Sequence, residues 1–279
     1  MSINFKSILK KIFLEFLNLL TPYWTCKFNN MRQILMKRNI FFYYDKNLCL
    51  YYVKEKNYKM YFSDKTRGIE TYSYGIKYRA NQLIKTYNLE LIEFKRDDLI
   101  VDCGANYGDL YTWLKIKKIP IKYISFEPSP LEFKCLELNC ENQINNNIGL
   151  SNSIGISDFF LKSESGDSSI IEPSNGFTKK IKIKTTTLNN YFFENRIKKV
   201  KLLKLEAEGF EPEILQGSNK VLNKIEYIGV DGSPERGKKN DTTIEYAIDF
   251  LTSRDFEVIA SDINPKFSKA LFKNLNLLK

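Results

Sequence analysis

Histidine is absent from the 279-residue chain, so no imidazole can serve as general base, proton shuttle or metal ligand. Cysteine is scarce and odd in number. Cys26, Cys49, Cys103, Cys135 and Cys140 form no CxxC pair, which excludes a zinc ribbon and a disulfide framework and leads us to expect a reducing, cytoplasmic setting and no metal. The GxGxxG turn of dinucleotide-binding proteins does not occur. No uninterrupted apolar run is long enough to cross a bilayer, and no small-residue cleavage site follows the apolar part of the N-terminus. Internal repeats, long linkers and low-complexity tracts are missing too.

What is present begins with charge: 43 Lys and Arg stand against 33 Asp and Glu, an excess of +10 that reads as spread along the chain. Residues 40–75, which include "IFFYYDKNLCLYYVKEKNYKMYF", are rich in aromatics, alternate in part and predict two or three strands of a small cap or hairpin. Their tyrosines are not interleaved with a groove-like cluster of cations, so no nucleic-acid partner is expected. Upstream, "FKSILKKIFLEFLNLLTP" lines up Phe5, Ile8, Leu9, Ile12, Phe13, Phe16, Leu17 and Leu20 on one helical stripe, with Pro22 ending it. Packing of this stripe on the domain is the expectation. Its alternative is a peripheral membrane contact through residues 5–20.

Helix and strand patterns alternate from about residue 77, which predicts an α/β fold with a doubly wound, mostly parallel sheet. We therefore divide the chain into a helical and β extension, 1–75, and a main domain, 76–279. "DLIVDC", "IKYISFE", "VKLLKLE" and "IEYIGVD" read as strands, "GISDFFLK" and "KKIKIKTTTL" as a β-rich insertion, and "EPEILQGSNKVLN" as one helix.

Ligands of such sheets bind at the carboxyl ends of the strands, and these ends carry acids. Asp102 closes the first strand, before "GANYG", whose Gly104 and Gly108 permit a tight turn and close approach of a ligand. An acid at that corner suits a cationic cofactor better than a pyrophosphate. Glu127 closes the second strand in "FEPSP", where a carboxylate can accept from both hydroxyls of a ribose. Together these residues read as a site for S-adenosylmethionine. Glu206 and Glu208 follow the fourth strand and share a face if the chain stays extended, so one can hold a cation while the other takes a proton. Glu211 and Glu213 suit a helix start. Asp231 ends the fifth strand, ahead of a polar loop with Glu235 and Arg236.

"VDCGANYGDL", "FEPSP", "TTTLNNY" and "KLEAEGFEPEILQG" together resemble the FkbM family of S-adenosylmethionine-dependent methyltransferases over roughly residues 75–275. The resemblance implies a Rossmann-like methyltransferase sheet and O-methylation of a small-molecule or glycan acceptor, as in polysaccharide biosynthesis. It implies that Asp102, Gly104, Asn106, Gly108 and Glu127 bind the cofactor, and that Glu206, Glu208 and Gly209 line the reaction centre. We add Asp231 as a third candidate catalytic acid. The family usually has Asp where Glu206 stands, and an acid where Asn189 stands. Two other readings are a nicotinamide-dependent sugar oxidoreductase, against which the missing GxGxxG counts, and a non-catalytic glycan- or membrane-associated scaffold.

Overall fold

The computed structural model describes residues 15, 17, 19–162, 166–174 and 176–278. It divides into two compact units, residues 1–79 and 80–279.

The first unit holds helix α1 (Pro22–Leu35), the antiparallel strands β1 (Phe41–Asp45), β2 (Leu50–Glu55) and β3 (Tyr58–Phe62), and helix α2 (Lys65–Tyr72). Phe42, Val53, Met60 and Phe62 are buried on one face of the sheet. Tyr43, Tyr52 and Tyr61 pair across the three strands on the other. Pro22 does not only end a preceding pattern; it opens α1, because its fixed φ suits the first helical position, where no N–H is needed. Most of the Phe5–Leu20 stripe lies outside the described residues. Of its members, Leu17 is buried and Leu20 half-buried.

The charge excess is not spread along the chain. Residues 1–79 contain 15 Lys and Arg and 5 Asp and Glu, whereas residues 80–279 contain 28 of each, so the whole excess belongs to the first unit.

After helix α3 (Ile76–Thr86), the second unit is built on a seven-stranded sheet. Its strands are β4 (Leu99–Cys103), β5 (Lys122–Phe126), β6 (Ile144–Asn146), β10 (Val200–Leu205), β11 (Ile225–Asp231), β12 (Phe256–Asn264) and β13 (Phe267–Asn274). Their order is β12-β13-β11-β10-β4-β5-β6. From β11 to β6 every pairing is parallel, and β13 runs antiparallel to both neighbours. The chain winds outward from β4 to β5 and β6, then crosses back to β10 and β11. The carboxyl ends of β4 and β10 therefore meet where the winding reverses, the place at which such sheets leave a crevice. Alternation sorts the core: Val101, Cys103, Leu203 and Leu205 face one layer, while Ile100, Leu202, Tyr123 and Leu271 face the other. Helices α4 (Asp109–Lys117), α5 (Pro130–Asn139), α6 (Leu188–Glu194), α7 (Glu211–Gln216) and α8 (Ile244–Thr252) complete the layers.

The insertion forms a three-stranded sheet of β7 (Gly149–Leu150), β8 (Gly155–Leu161) and β9 (Lys179–Thr186) in the order β7-β9-β8. One expectation fails on length. The helix expected over 211–223 stops at Gln216, and tight three-residue bonds from Ser218 to Leu215, Val221 to Ser218 and Lys224 to Val221 replace it.

Candidate active site

Asp102 and Lys204 are register partners on β4 and β10, 102 residues apart in sequence. Both side chains are buried, and Lys204 Nζ lies 3.1 Å from Asp102 Oδ1 and 2.8 Å from Glu206 Oε2. Asp102 also accepts from the Tyr123 hydroxyl. The acid at the first corner is thus neutralised inside the protein rather than opened to a cationic ligand, because an uncompensated charge there would be costly. Burial pushes its carboxyl upward, against the pull of Lys204 and Tyr123. A second pair repeats the arrangement: Asp231 and Lys269 are register partners on β11 and β13 and form a buried ion pair, with the Ser233 hydroxyl and N–H also donating to Asp231. Between the two lysines sits the Tyr87 ring, 5.6 Å from Lys204 Nζ and 4.3 Å from Lys269 Nζ.

The two glycines of "GANYG" serve the protein's own packing. Gly104 has φ +69°, and a Cβ there would lie 1.9 Å from the Glu206 carbonyl oxygen. Gly108, with φ +87°, would press on Cys140 Sγ at 2.4 Å. Asn106, also left-handed at φ 51°, donates its N–H to Glu127 Oε2 at 2.9 Å, and the Ser129 N–H donates to the other oxygen of Glu127 at 2.9 Å. Glu127 thereby ties the loop after β4 to the loop after β5. The Asn106 side-chain oxygen is buried with no hydrogen-bond partner among the described residues.

Glu206 and Glu208 do not share the face of an extended strand. Strand β10 ends at Leu205, and Glu208 takes a left-handed conformation, φ 52°, that turns the chain. Glu211 stitches this turn, accepting from the N–H of Ala207 at 2.8 Å and of Gly209 at 3.3 Å, and from the Thr243 hydroxyl at 2.8 Å. Burial pushes the Glu211 carboxyl up to about 7 against these bonds. Arg236 grips the next turn through two bonds to Glu213, at 2.7 and 2.9 Å, and one to the Gly209 carbonyl.

The two acids consequently meet opposite fields. Burial disfavours the charge on Glu206, but Lys204 and Lys269 overcome it and hold the carboxyl well below the usual range. Glu208 is driven the other way, first by burial and then by Glu235, Glu206, Asp167 and Glu211. Glu235 lines the same pocket as Glu208, and burial and Asp231 push its carboxyl up to about 8. Both acids line a polar pocket of about 140 Å³ with Lys162, Asp167, Ser169 and Asn240. The Ser169 hydroxyl donates to the Glu208 carbonyl at 3.0 Å, and Ser174 meets Asn240 at 2.7 Å, so the insertion and the loop after β11 are fastened around it. Sequence reasoning did not single out Lys204, Lys269 or Tyr87. The one available signal was a lysine inside the otherwise apolar run "LLKL" of a central strand.

A mostly parallel seven-stranded sheet, reversed at β4/β10, defines a Rossmann-like protein. The FkbM methyltransferase domain model matches residues 102–258, and the chain belongs to that family. It is 30% identical over 152 residues to the hexuronic acid methyltransferase AglP of Haloferax volcanii, covering 51% of this chain and 59% of that protein. The chain thus spans less than two thirds of that relative's length. Among solved structures it is similar to M. capricolum TrmK bound to S-adenosylhomocysteine, with TM-score 0.41, 10% identity and coverage of 71% of this chain and 68% of that one. It is also similar to Aeropyrum pernix fibrillarin bound to S-adenosylmethionine, with TM-score 0.40, 10% identity and coverage of 68% and 74%.

S-adenosylmethionine is the cofactor of this class, and the residues fit it. The unpartnered Asn106 oxygen beside the β4 turn offers an acceptor to a cofactor donor. Glu127, fixed by two backbone N–H groups, presents a carboxylate, and each of its oxygens can accept more than one hydrogen bond.

Proposed function

We propose that the chain is an S-adenosylmethionine-dependent O-methyltransferase acting on a hydroxyl of a sugar or glycan intermediate. Family membership and the relative that acts on a hexuronic acid support transfer to a sugar. The observation that carries the choice of an oxygen acceptor is the carboxyl pair of Glu208 and Glu235, in a polar pocket next to the reversal of the sheet.

When bound, S-adenosylmethionine supplies a methyl group made electrophilic by its sulfonium. Asn106 and Glu127 hold the cofactor side. Glu206, kept ionised by Lys204 and Lys269, fixes a negative charge beside β4 that favours a cationic centre. Glu208 and Glu235 repel each other as two anions, so they hold a proton between them, and the ionised member takes the proton of the acceptor hydroxyl. Base catalysis of this kind is worth about a hundred- to ten-thousand-fold. In the same pocket Lys162 is engaged by Asp167 at 3.5 Å. The charge left over is negative, so we assign the acceptor as a neutral hydroxyl-rich sugar rather than a free uronate.

Methyl transfer from labelled S-adenosylmethionine to a panel of neutral hexosides and hexuronides tests this reading. Glu127→Gln should weaken binding of S-adenosylhomocysteine at least about ten-fold, the cost of a hydrogen bond to a charged group. Glu208→Gln should keep that affinity within a few-fold and slow transfer at least about a hundred-fold. Wild-type turnover by Glu208→Gln refutes the base assignment, and transfer to hexuronides alone refutes the acceptor.

A further inference from the structure

Helix α1 is amphipathic in the inverse sense. Its inward residues are Thr25, Cys26, Asn29 and Gln33, and two of them bond to neighbouring backbone: Asn29 to the Thr25 carbonyl at 2.9 Å, and Gln33 to the Ser73 carbonyl at 3.2 Å. Outward stand Tyr23, Trp24, Met31, Ile34 and Leu35, between 53% and 76% exposed. Residues 23, 24, 31, 34 and 35 fall on one side of the helix, with Lys27 among them, so these side chains form one stripe rather than scattered exceptions. A contiguous apolar stripe left facing water marks a surface that something covers.

Charge identifies what covers it. The unit that carries α1 has 15 cations against 5 anions, while the remaining 200 residues balance to zero. Within the stripe the ammonium of Lys27 lies 4.9 Å from the Trp24 ring centre and 5.9 Å from that of Tyr23, and Lys37 is exposed just past the helix end. Tryptophan and tyrosine with an apolar body and a polar tip, flanked by lysine on a strongly cationic unit, are the side chains that settle at the headgroup boundary of an anionic bilayer. No helix among the described residues is long and apolar enough to cross a membrane, so the contact is a surface one. We infer that the outward face of α1 docks on an anionic lipid surface.

Tryptophan makes the inference readable, since the chain has only Trp24 and Trp113. In the full chain carrying Trp113→Phe, Trp24 is the sole indole. Vesicles of phosphatidylcholine with about one-third phosphatidylglycerol should shift its emission to the blue and sediment the protein; vesicles of phosphatidylcholine alone should do neither, and 0.5 M salt should release it. A triple variant, Trp24→Ser, Ile34→Ser and Leu35→Ser, should lose at least ten-fold in vesicle-bound fraction with an unchanged melting curve, because all three side chains are already exposed. Equal sedimentation of wild type and triple variant overturns the inference by placing the contact on another segment. Also fatal would be a wild-type dimer that the triple variant dissociates while neither binds vesicles, which assigns the stripe to a second copy of the chain.

Discussion

Replacing Lys204 by methionine removes the cation shared by Asp102 and Glu206 while keeping most of the side-chain volume. Asp102 is 1% exposed, so it cannot turn to water when its partner is lost. Breaking a buried pair from one side costs about 3–5 kcal/mol. For the 200 residues of the second unit, each kcal/mol lowers the melting temperature by about 2–4 °C, so Lys204→Met should melt roughly 6–20 °C below wild type. The double variant Asp102→Asn, Lys204→Met removes both charges and should recover much of that loss, since an intact buried pair contributes little net stability. The damage to the single variant should also shrink in acid: stripped of Lys204, the buried Asp102 has a carboxyl raised above its unfolded value, so its penalty is present at neutral pH and disappears as pH falls through the raised value. Calorimetry of wild type, Lys204→Met, Asp102→Asn and the double variant at pH 5 and 7.5 measures all of this. A loss below about 1 kcal/mol for Lys204→Met, or a double variant as unstable as the sum of the singles, would refute the claim that Lys204 neutralises Asp102.

Glu235 is pushed up to about 8, so methyl transfer should rise with pH along a limb centred near that value. Glu235→Gln removes the group that titrates there and should abolish this limb; a pH–rate profile that stays in place assigns the limb to another group. Stability should run in the opposite direction. Glu211 and Glu235, at about 7 and about 8, keep protons in the folded chain that the unfolded chain releases near 4.5, so stability is lost as pH rises from 5 to 8. A fall in melting temperature over that range is expected, and Glu211→Gln should remove part of it. A melting temperature that climbs through the same window contradicts both assignments.

Much of the sheet was legible because its signals are local. "LIVDCG" states strand, acid and turn within six residues, and the alternation of helix and strand patterns implies parallel pairing. Glu127 was legible as an acid at a strand end, though not as the tie between two loops. The two lysines were not, since Lys204 meets Asp102 across 102 residues and only register brings them together. The same holds for Glu235, which approaches Glu208 only after a left-handed turn that no sequence pattern specified. Helix α1 escaped notice for a different reason. A periodicity argument assumes that apolar residues point inward, and here Thr25, Asn29 and Gln33 do.

The missing side chain at Gly104 has a consequence for anyone wishing to alter this protein. The backbone of the turn after β4 and the carbonyl of Glu206 approach so closely that no space is left for a Cβ at Gly104. The turn after β4 and the chain leaving β10 are therefore packed with no slack between them. Any remodelling that widens the turn after β4 to admit a bulkier cofactor analogue will push on the first residue beyond β10 and travel along Ala207 to Glu208. A change of backbone at one of these two turns is therefore a change at the other, whereas a change of side chain alone at Glu208 is not.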